Sequence, residues 1–144
     1  MTDTREASGR CLCGACVLHA EKLSRHSSAC HCSMCRKWGG GPLLAVECGT
    51  EVRFEGEEHI ATYASSAWAE RGFCSHCGTH LFYRISDNGA YIVPVGLFDD
   101  EADFELVNQI FIDEKPTFYD FANKTKMMTG AEVFAMYAPG GGAE

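Results

Sequence analysis

The sequence predicts a mainly β protein, and three observations support this prediction. Short runs rich in β-branched and aromatic residues recur along the chain, separated by turn residues. An Asn88-Gly89 pair stands between two such runs, which is a strong hairpin signal. Helix signals are few: one short turn after Met34, and residues 131–137, which fit either a terminal helix or a strand.

The predicted strands, in chain order, cover residues 16–20, 43–46, 51–54, 59–63, 67–73, 80–85, 91–95 and 109–112. The runs 80–85 and 91–95 are the two arms of the predicted hairpin. No low-complexity linker or charge block divides the chain, so we expect residues 1–144 to form a single domain with a core of about 9–138. Residues 1–9 and 139–144 are predicted to be frayed ends.

The composition excludes several classes of partner. The formal net charge is −8, and an acidic surface repels phosphate backbones, so no nucleic-acid partner is expected. No apolar run is long enough to span a membrane, and the polar N-terminal segment MTDTREASGR does not have the pattern of a signal peptide. We therefore expect a cytoplasmic protein with no membrane partner.

The nine cysteines are the most informative residues of the chain. In a reducing compartment, clustered cysteines bind metal or carry out redox chemistry more often than they form disulfides. Eight of the nine fall into three groups, and only Cys48 stands apart. The pattern C-x-C-x-x-C occurs twice, at residues 11–16 and 30–35, so the same ligand geometry is offered twice.

The segment Cys74-Ser75-His76-Cys77-Gly78 predicts a zinc knuckle, in which a tight turn directs backbone N–H groups at the two sulfurs. A redox motif of the thioredoxin type would begin a helix, whereas this segment continues into a predicted strand. Two further ligands are needed for a structural zinc. They are either the pair Cys11 and Cys13, which share a face of an extended segment, or a second knuckle formed by Cys13 and Cys16.

Cys30, Cys32 and Cys35 form a second candidate site. If Cys16 or Cys48 completed the set, this site would be closed and structural. With three protein ligands only, it would keep the open position that is typical of catalytic zinc. Spacing alone leaves both alternatives open.

Positive charge and glycine-rich backbone follow this triad, at Arg36, Lys37, Trp38, Gly39 and Gly40. On their own these residues indicate a solvent-exposed basic pair and a glycine-rich loop that changes the direction of the chain. Beside an under-liganded metal they become candidates for binding a substrate carboxylate, with Arg36 first.

The motifs GRCLCGAC, CHCSMCRKWGG, RGFCSHCGTHLF, VGLFDD and IFIDEKPTFYDFA together resemble the glutathione-dependent formaldehyde-activating enzyme family, which shares a domain with centromere protein V. The resemblance covers roughly residues 9–122. It implies an Mss4-like fold of short antiparallel sheets held together by a four-cysteine zinc site. It also implies a carbon–sulfur lyase or synthase reaction, in which glutathione condenses with formaldehyde or another small aldehyde.

The resemblance also implies two zinc ions per chain. The structural ion would be held by Cys11, Cys13, Cys74 and Cys77, and the second, labile ion by Cys30, Cys32 and Cys35. Cys16 would not be an essential ligand, and Cys48 would be a small buried hydrophobe. A soft, thiolate-rich zinc suits a thiol substrate as its remaining ligand.

Three residues bear on how the substrates are handled. His31 is the titratable group nearest in sequence to this site and is our candidate proton donor, although strand alternation would turn its ring away from the metal. Gln109 and Phe118 stand where the resembled pattern has histidine and tryptophan. These departures bear on the choice of aldehyde more than on the zinc architecture.

Two hypotheses compete with an enzyme. The first is a non-catalytic, zinc-stabilised β scaffold or thiol- and metal-binding module, which would have a closed second site, since a fold does not fix a function. The second is thiol–disulfide chemistry at the pair Cys13 and Cys16, or at Cys32 and Cys35.

Overall fold

A computed structural model describes residues 4–99 and 103–137 and confirms the mainly β class. The strands are β1 Thr4–Arg10, β2 Val17–Ser24, β3 His26–Cys30, β4 Leu43–Gly49, β5 Val52–Glu55, β6 Ile60–Tyr63, β7 Ala69–Cys74, β8 His80–Ile85, β9 Tyr91–Pro94, β10 Glu105–Ile110 and β11 Lys126–Met128. The α-helices are α1 Ser33–Gly39 and α2 Gly130–Tyr137. These strands belong to two sheets. No helix in the described ranges is long and apolar enough to cross a membrane.

Most predicted strands are found within a few residues of their expected bounds. The predicted hairpin is an antiparallel β8–β9 pair, and Gly89 in its turn has a positive φ of 73°. Residues 131–137 are helical, and the turn after Met34 belongs to α1.

Two expectations need correction. Residues 4–9 are not frayed, because β1 pairs with β2 along its length. The predicted strand at 109–112 ends at Ile110, because Phe111 takes a left-handed conformation with φ of 55° and a short 3-10 turn, Ile112–Glu114, follows. The other residues predicted to be frayed, 1–3 and 139–144, lie outside the described residues.

The chain divides into two compact units, and the single-domain expectation stays a prediction. The first unit comprises Met1–Ser27 and Ala45–Glu105. It contains the three-stranded sheet β1-β2-β5 and the strand order β4-β9-β8-β7-β6. Its core is a cluster of buried side chains that includes Leu18, Leu23, Val46, Phe82 and Phe98.

The second unit comprises Ser28–Leu44 and Leu106–Glu144. Within its described part, β10 pairs in parallel with β11, and the strand order is β11-β10-β3. Helix α1 follows the end of β3 after two residues, so the backbone turns sharply at His31 and Cys32.

Gly56 gives a stability prediction in the first unit. Its φ of 75° is left-handed, and a Cβ added there would overlap the carbonyl oxygen of Ala15. We expect Gly56→Ala to lower the free energy of unfolding by about 2–5 kcal/mol, from backbone strain and overlap together. Gly49→Ala is the matched control, because Gly49 is also left-handed but has open space around it. If chemical denaturation gave equal losses of unfolding free energy for the two variants, this account would be contradicted.

Candidate metal centres

Four cysteines of the first unit form a compact cluster. The sulfurs of Cys11, Cys13, Cys74 and Cys77 all lie within 4.8 Å of one another. The Cys11–Cys13 sulfur distance is 3.7 Å, and the Cys13–Cys74 distance is 3.8 Å. A tetrahedral zinc with Zn–S bonds of about 2.3 Å requires sulfur–sulfur distances of about 3.8 Å. The donor set and its spacing therefore fit a four-thiolate metal site.

The turn that carries Cys74 and Cys77 supplies hydrogen bonds to the sulfurs. The backbone N–H groups of His76 and Cys77 donate to Cys74 Sγ, at 3.3 and 3.5 Å. Gly78 closes the turn with φ of 82° and donates its N–H to the carbonyl of Cys74. The hydroxyl of Thr79 lies 3.1 Å from Cys77 Sγ and lowers the pKa of that thiol to about 5. These contacts stabilise sulfur in its anionic form.

Cys16 lies against this cluster without belonging to it. Its backbone N–H donates to Cys11 Sγ at 3.3 Å, whereas its own sulfur contacts the carbonyl oxygen of Gly56 at 3.8 Å. Its side chain is fully buried, and burial raises the pKa of the thiol to about 12. Cys48 is also fully buried, within the hydrophobic core of the same unit.

The second cluster lies at the junction of β3 and α1. Cys30 ends the strand, Cys32 is the N-cap of the helix, and Cys35 is in its first turn. Their three sulfurs lie within 4.8 Å of one another, and no fourth ligand joins them among the described residues. Cys32 Sγ accepts a hydrogen bond from the backbone N–H of Cys35 at 3.3 Å. Sulfur–sulfur hydrogen bonds from Cys30 and Cys35 lower the pKa of the Cys32 thiol to about 2.

The residues that follow this triad form a helix rather than the expected glycine-rich loop. Arg36, Lys37, Trp38 and Gly39 belong to α1, and Gly40 is its C-cap with φ of 90°. The Arg36 Nε–H donates to the carbonyl oxygen of His31 at 2.9 Å, which fixes the guanidinium group beside the triad backbone. Lys37 is exposed and Trp38 is partly buried.

The His31 side chain is fully buried, and both ring nitrogens are hydrogen-bonded to protein groups. Nε2 lies 2.8 Å from Gln109 Oε1, and Nδ1 lies 2.8 Å from the Tyr119 hydroxyl. Gln109 Nε2 in turn donates to Thr125 Oγ1 at 2.9 Å. Burial lowers the pKa of His31. In this geometry neither ring nitrogen is available to a substrate.

Lys115 is a further cation near His31 that the sequence motifs did not single out. Its ammonium group pairs with Asp120 at 2.7 Å and lies 4.9 Å from the centre of the Tyr119 ring. Tyr119 and Lys115 lie in the segment IFIDEKPTFYDFA, but nothing in their spacing along the sequence distinguishes them from residues that only pack. Only the folded chain brings them next to His31.

Two cysteine clusters that could each hold a metal ion, one of four and one of three cysteines, on a mainly β framework define the class of this protein as a candidate metal-binding β protein. Residues 6–114 match the family described as glutathione-dependent formaldehyde-activating enzyme. The chain belongs to this family, as the motifs had indicated. Its fold agrees with the expected Mss4-like architecture.

Individual proteins similar to this chain include one curated relative and one solved structure. An uncharacterised lyase of Schizosaccharomyces pombe is 40% identical over 129 residues, which is 89% of this chain and 94% of the yeast protein. The crystal structure of a Rhodobacter sphaeroides protein matches 65% of this chain and 88% of its own, with 28% identity and a TM-score of 0.56. A lyase-named relative and the family description together indicate an enzyme.

Proposed function

We propose that this protein is a zinc-dependent carbon–sulfur lyase or synthase that condenses a glutathione-like thiol with formaldehyde or another small aldehyde. The observation that carries the proposal is the three-cysteine cluster, which has no fourth ligand among the described residues. Membership of the family and the lyase-named relative support the reaction class.

The reaction forms one bond between sulfur and the aldehyde carbon. The thiol loses its proton, the carbonyl double bond becomes a single bond, and the former aldehyde oxygen takes up a proton to give a hemithioacetal, which for formaldehyde is the S-hydroxymethyl adduct. A zinc ion held by Cys30, Cys32 and Cys35 would have one position left for a substrate, and it would stabilise the thiolate form of that substrate. We propose a second, structural zinc on Cys11, Cys13, Cys74 and Cys77.

The chain's own residues would orient the thiol substrate. Arg36 is anchored through Nε, so we propose that its Nη groups bind a substrate carboxylate in the planar, two-point geometry that guanidinium groups favour. Lys37, Trp38, Gly39 and Gly40 follow on the same short helix and its cap and complete the proposed binding segment. Such local cations matter because the net charge of −8 disfavours an anionic substrate over longer distances.

The reducing cytoplasm is the compartment we propose for this activity. All nine cysteines are free thiols in the structure, and the proposed ligands must stay reduced to bind metal.

The proposal predicts that glutathione is retained only while the second metal is bound. We expect native mass spectrometry to show two zinc ions per chain, one of which is removed by mild chelation. One glutathione should stay bound before chelation and be lost with that zinc. Exchange NMR should then show thiol–formaldehyde adduct formation above the spontaneous background, with metal-stripped protein as the control.

Two zinc ions that resist chelation equally, with no retained thiol, would contradict the proposal. That result would mean a closed second site and would favour the non-catalytic scaffold.

A further inference from the structure

A chain of hydrogen-bonded polar side chains, buried at its centre and partly buried at its two ends, includes the residue between Cys30 and Cys32. It runs from Thr125 through Gln109 and His31 to Tyr119, with successive hydrogen-bond distances of 2.9, 2.8 and 2.8 Å. His31 and Gln109 are 0% and 1% exposed. A buried polar network lowers the stability of the fold unless each of its polar groups has a hydrogen-bond partner. The presence of such a network therefore calls for a specific reason.

The direction of each hydrogen bond follows from the chemistry of Gln109. Its amide nitrogen donates to Thr125, so its carbonyl oxygen faces the imidazole and accepts from Nε2–H of His31. Nδ1 of the neutral ring is then an acceptor, and the Tyr119 hydroxyl donates to it. The ring is held in one tautomer and one orientation.

His31 is held through its backbone as well as its ring. Its N–H donates to the carbonyl of Ile110 at 3.1 Å, and its own carbonyl accepts from Arg36 Nε. Both neighbours of this residue in sequence, Cys30 and Cys32, belong to the three-cysteine cluster. A residue anchored at four points between two ligands restricts the backbone that carries both sulfurs.

We propose that Gln109 and Tyr119 are positioning residues that act through His31 to hold the sulfurs of Cys30 and Cys32 in place for one metal ion. This inference rests on metal binding at the three-cysteine cluster, as in the proposed function, but not on the identity of the substrates. Groups that orient metal ligands without touching the metal commonly change metal affinity by about 10–100-fold when they are replaced.

The test uses two substitutions that remove a hydrogen bond and keep most of the volume. Tyr119→Phe removes the hydroxyl but keeps the ring that packs against His31 and Lys115. Gln109→Leu removes both the acceptor for His31 and the donor to Thr125. Tyr91→Phe is the matched control, because Tyr91 packs in the first unit against Phe54 and Phe82.

The readouts are the rate of zinc transfer to a chromophoric chelator and the absorption bands of the cobalt-substituted protein. We expect Tyr119→Phe and Gln109→Leu to accelerate the labile phase of zinc transfer by about 10-fold or more and to shift the sulfur–cobalt bands of that site. Tyr91→Phe should remain close to wild type. The resistant phase from the four-cysteine centre should not change in any variant, which reports that the first unit is folded, and circular dichroism checks the fold of the second.

Wild-type rates and cobalt bands in both Tyr119→Phe and Gln109→Leu would overturn the inference, and so would an equally large effect of the control variant Tyr91→Phe. A wild-type protein with no labile metal would overturn both this inference and the proposed function. Normal metal binding in the wild type with no adduct formation would count against the lyase reaction alone, and the effects of the variants on metal transfer would still decide the positioning role.

Discussion

Replacing Cys77 by serine is expected to remove most of the stability of the first unit. Cys77 is only partly buried, so the substitution itself removes little packing, and the effect would report the loss of a proposed metal ligand. Structural zinc contributes about 10–16 kcal/mol of apparent binding energy in small zinc domains, and that energy is coupled to folding. Three remaining thiols would bind more weakly. We therefore expect the free energy of unfolding to fall by at least about 5 kcal/mol, or the Tm by at least about 20 °C, measured by circular dichroism.

Cys48→Ala is the control for this prediction. Cys48 is fully buried in the hydrophobic core of the same unit but belongs to neither cysteine cluster. Its replacement should lower the free energy of unfolding by only about 1 kcal/mol, as expected for removing a small buried group, and should leave the zinc content unchanged. A Cys77→Ser protein that melts like wild type would show that the four-cysteine centre does not stabilise the fold.

The strands that can be predicted from the sequence are those with a strong local signal. The β8–β9 hairpin has apolar runs on both sides of an Asn-Gly turn, so its pairing is encoded within a short segment. β1 is not predicted because its residues are mostly polar or exposed, and its conformation depends on pairing with β2. Such a strand is specified by pairing with its neighbouring strand rather than by the strand propensity of its own residues.

The cysteine clusters can be recognised in the sequence, whereas the residues that support them cannot. Close spacing along the chain makes Cys30, Cys32 and Cys35 recognisable as a group, and a knuckle turn does the same for Cys74 and Cys77. Gln109 and Tyr119 are separated from His31 by 78 and 88 residues, and ordinary side chains at such distances carry no local signal. The sequence distinguishes Gln109 only as a departure from the family pattern. Its contact with the imidazole depends on the folded chain.

Replacing Cys32 by serine should separate the chemistry of the second centre from the stability of the fold. Cys32 is the N-cap of α1, where its sulfur accepts a hydrogen bond from the Cys35 N–H. Serine is among the preferred N-cap residues, so the variant keeps the helix start while it loses a proposed soft metal ligand. We expect a nearly unchanged Tm and the loss of one zinc ion per chain by native mass spectrometry.

For the same Cys32→Ser variant, adduct formation followed by exchange NMR should fall at least about 100-fold, toward the spontaneous rate, which corresponds to about 2.7 kcal/mol of transition-state stabilisation. Ser33→Ala is the matched control, since Ser33 is the exposed first residue of the same helix and uses only its backbone N–H, which donates to Glu114. Full activity in a Cys32→Ser protein that has lost one zinc would exclude the three-cysteine centre as the site of reaction. A lost activity together with a collapsed Tm would instead show that this centre, like the first, holds the fold together, because a serine N-cap alone gives no reason for unfolding.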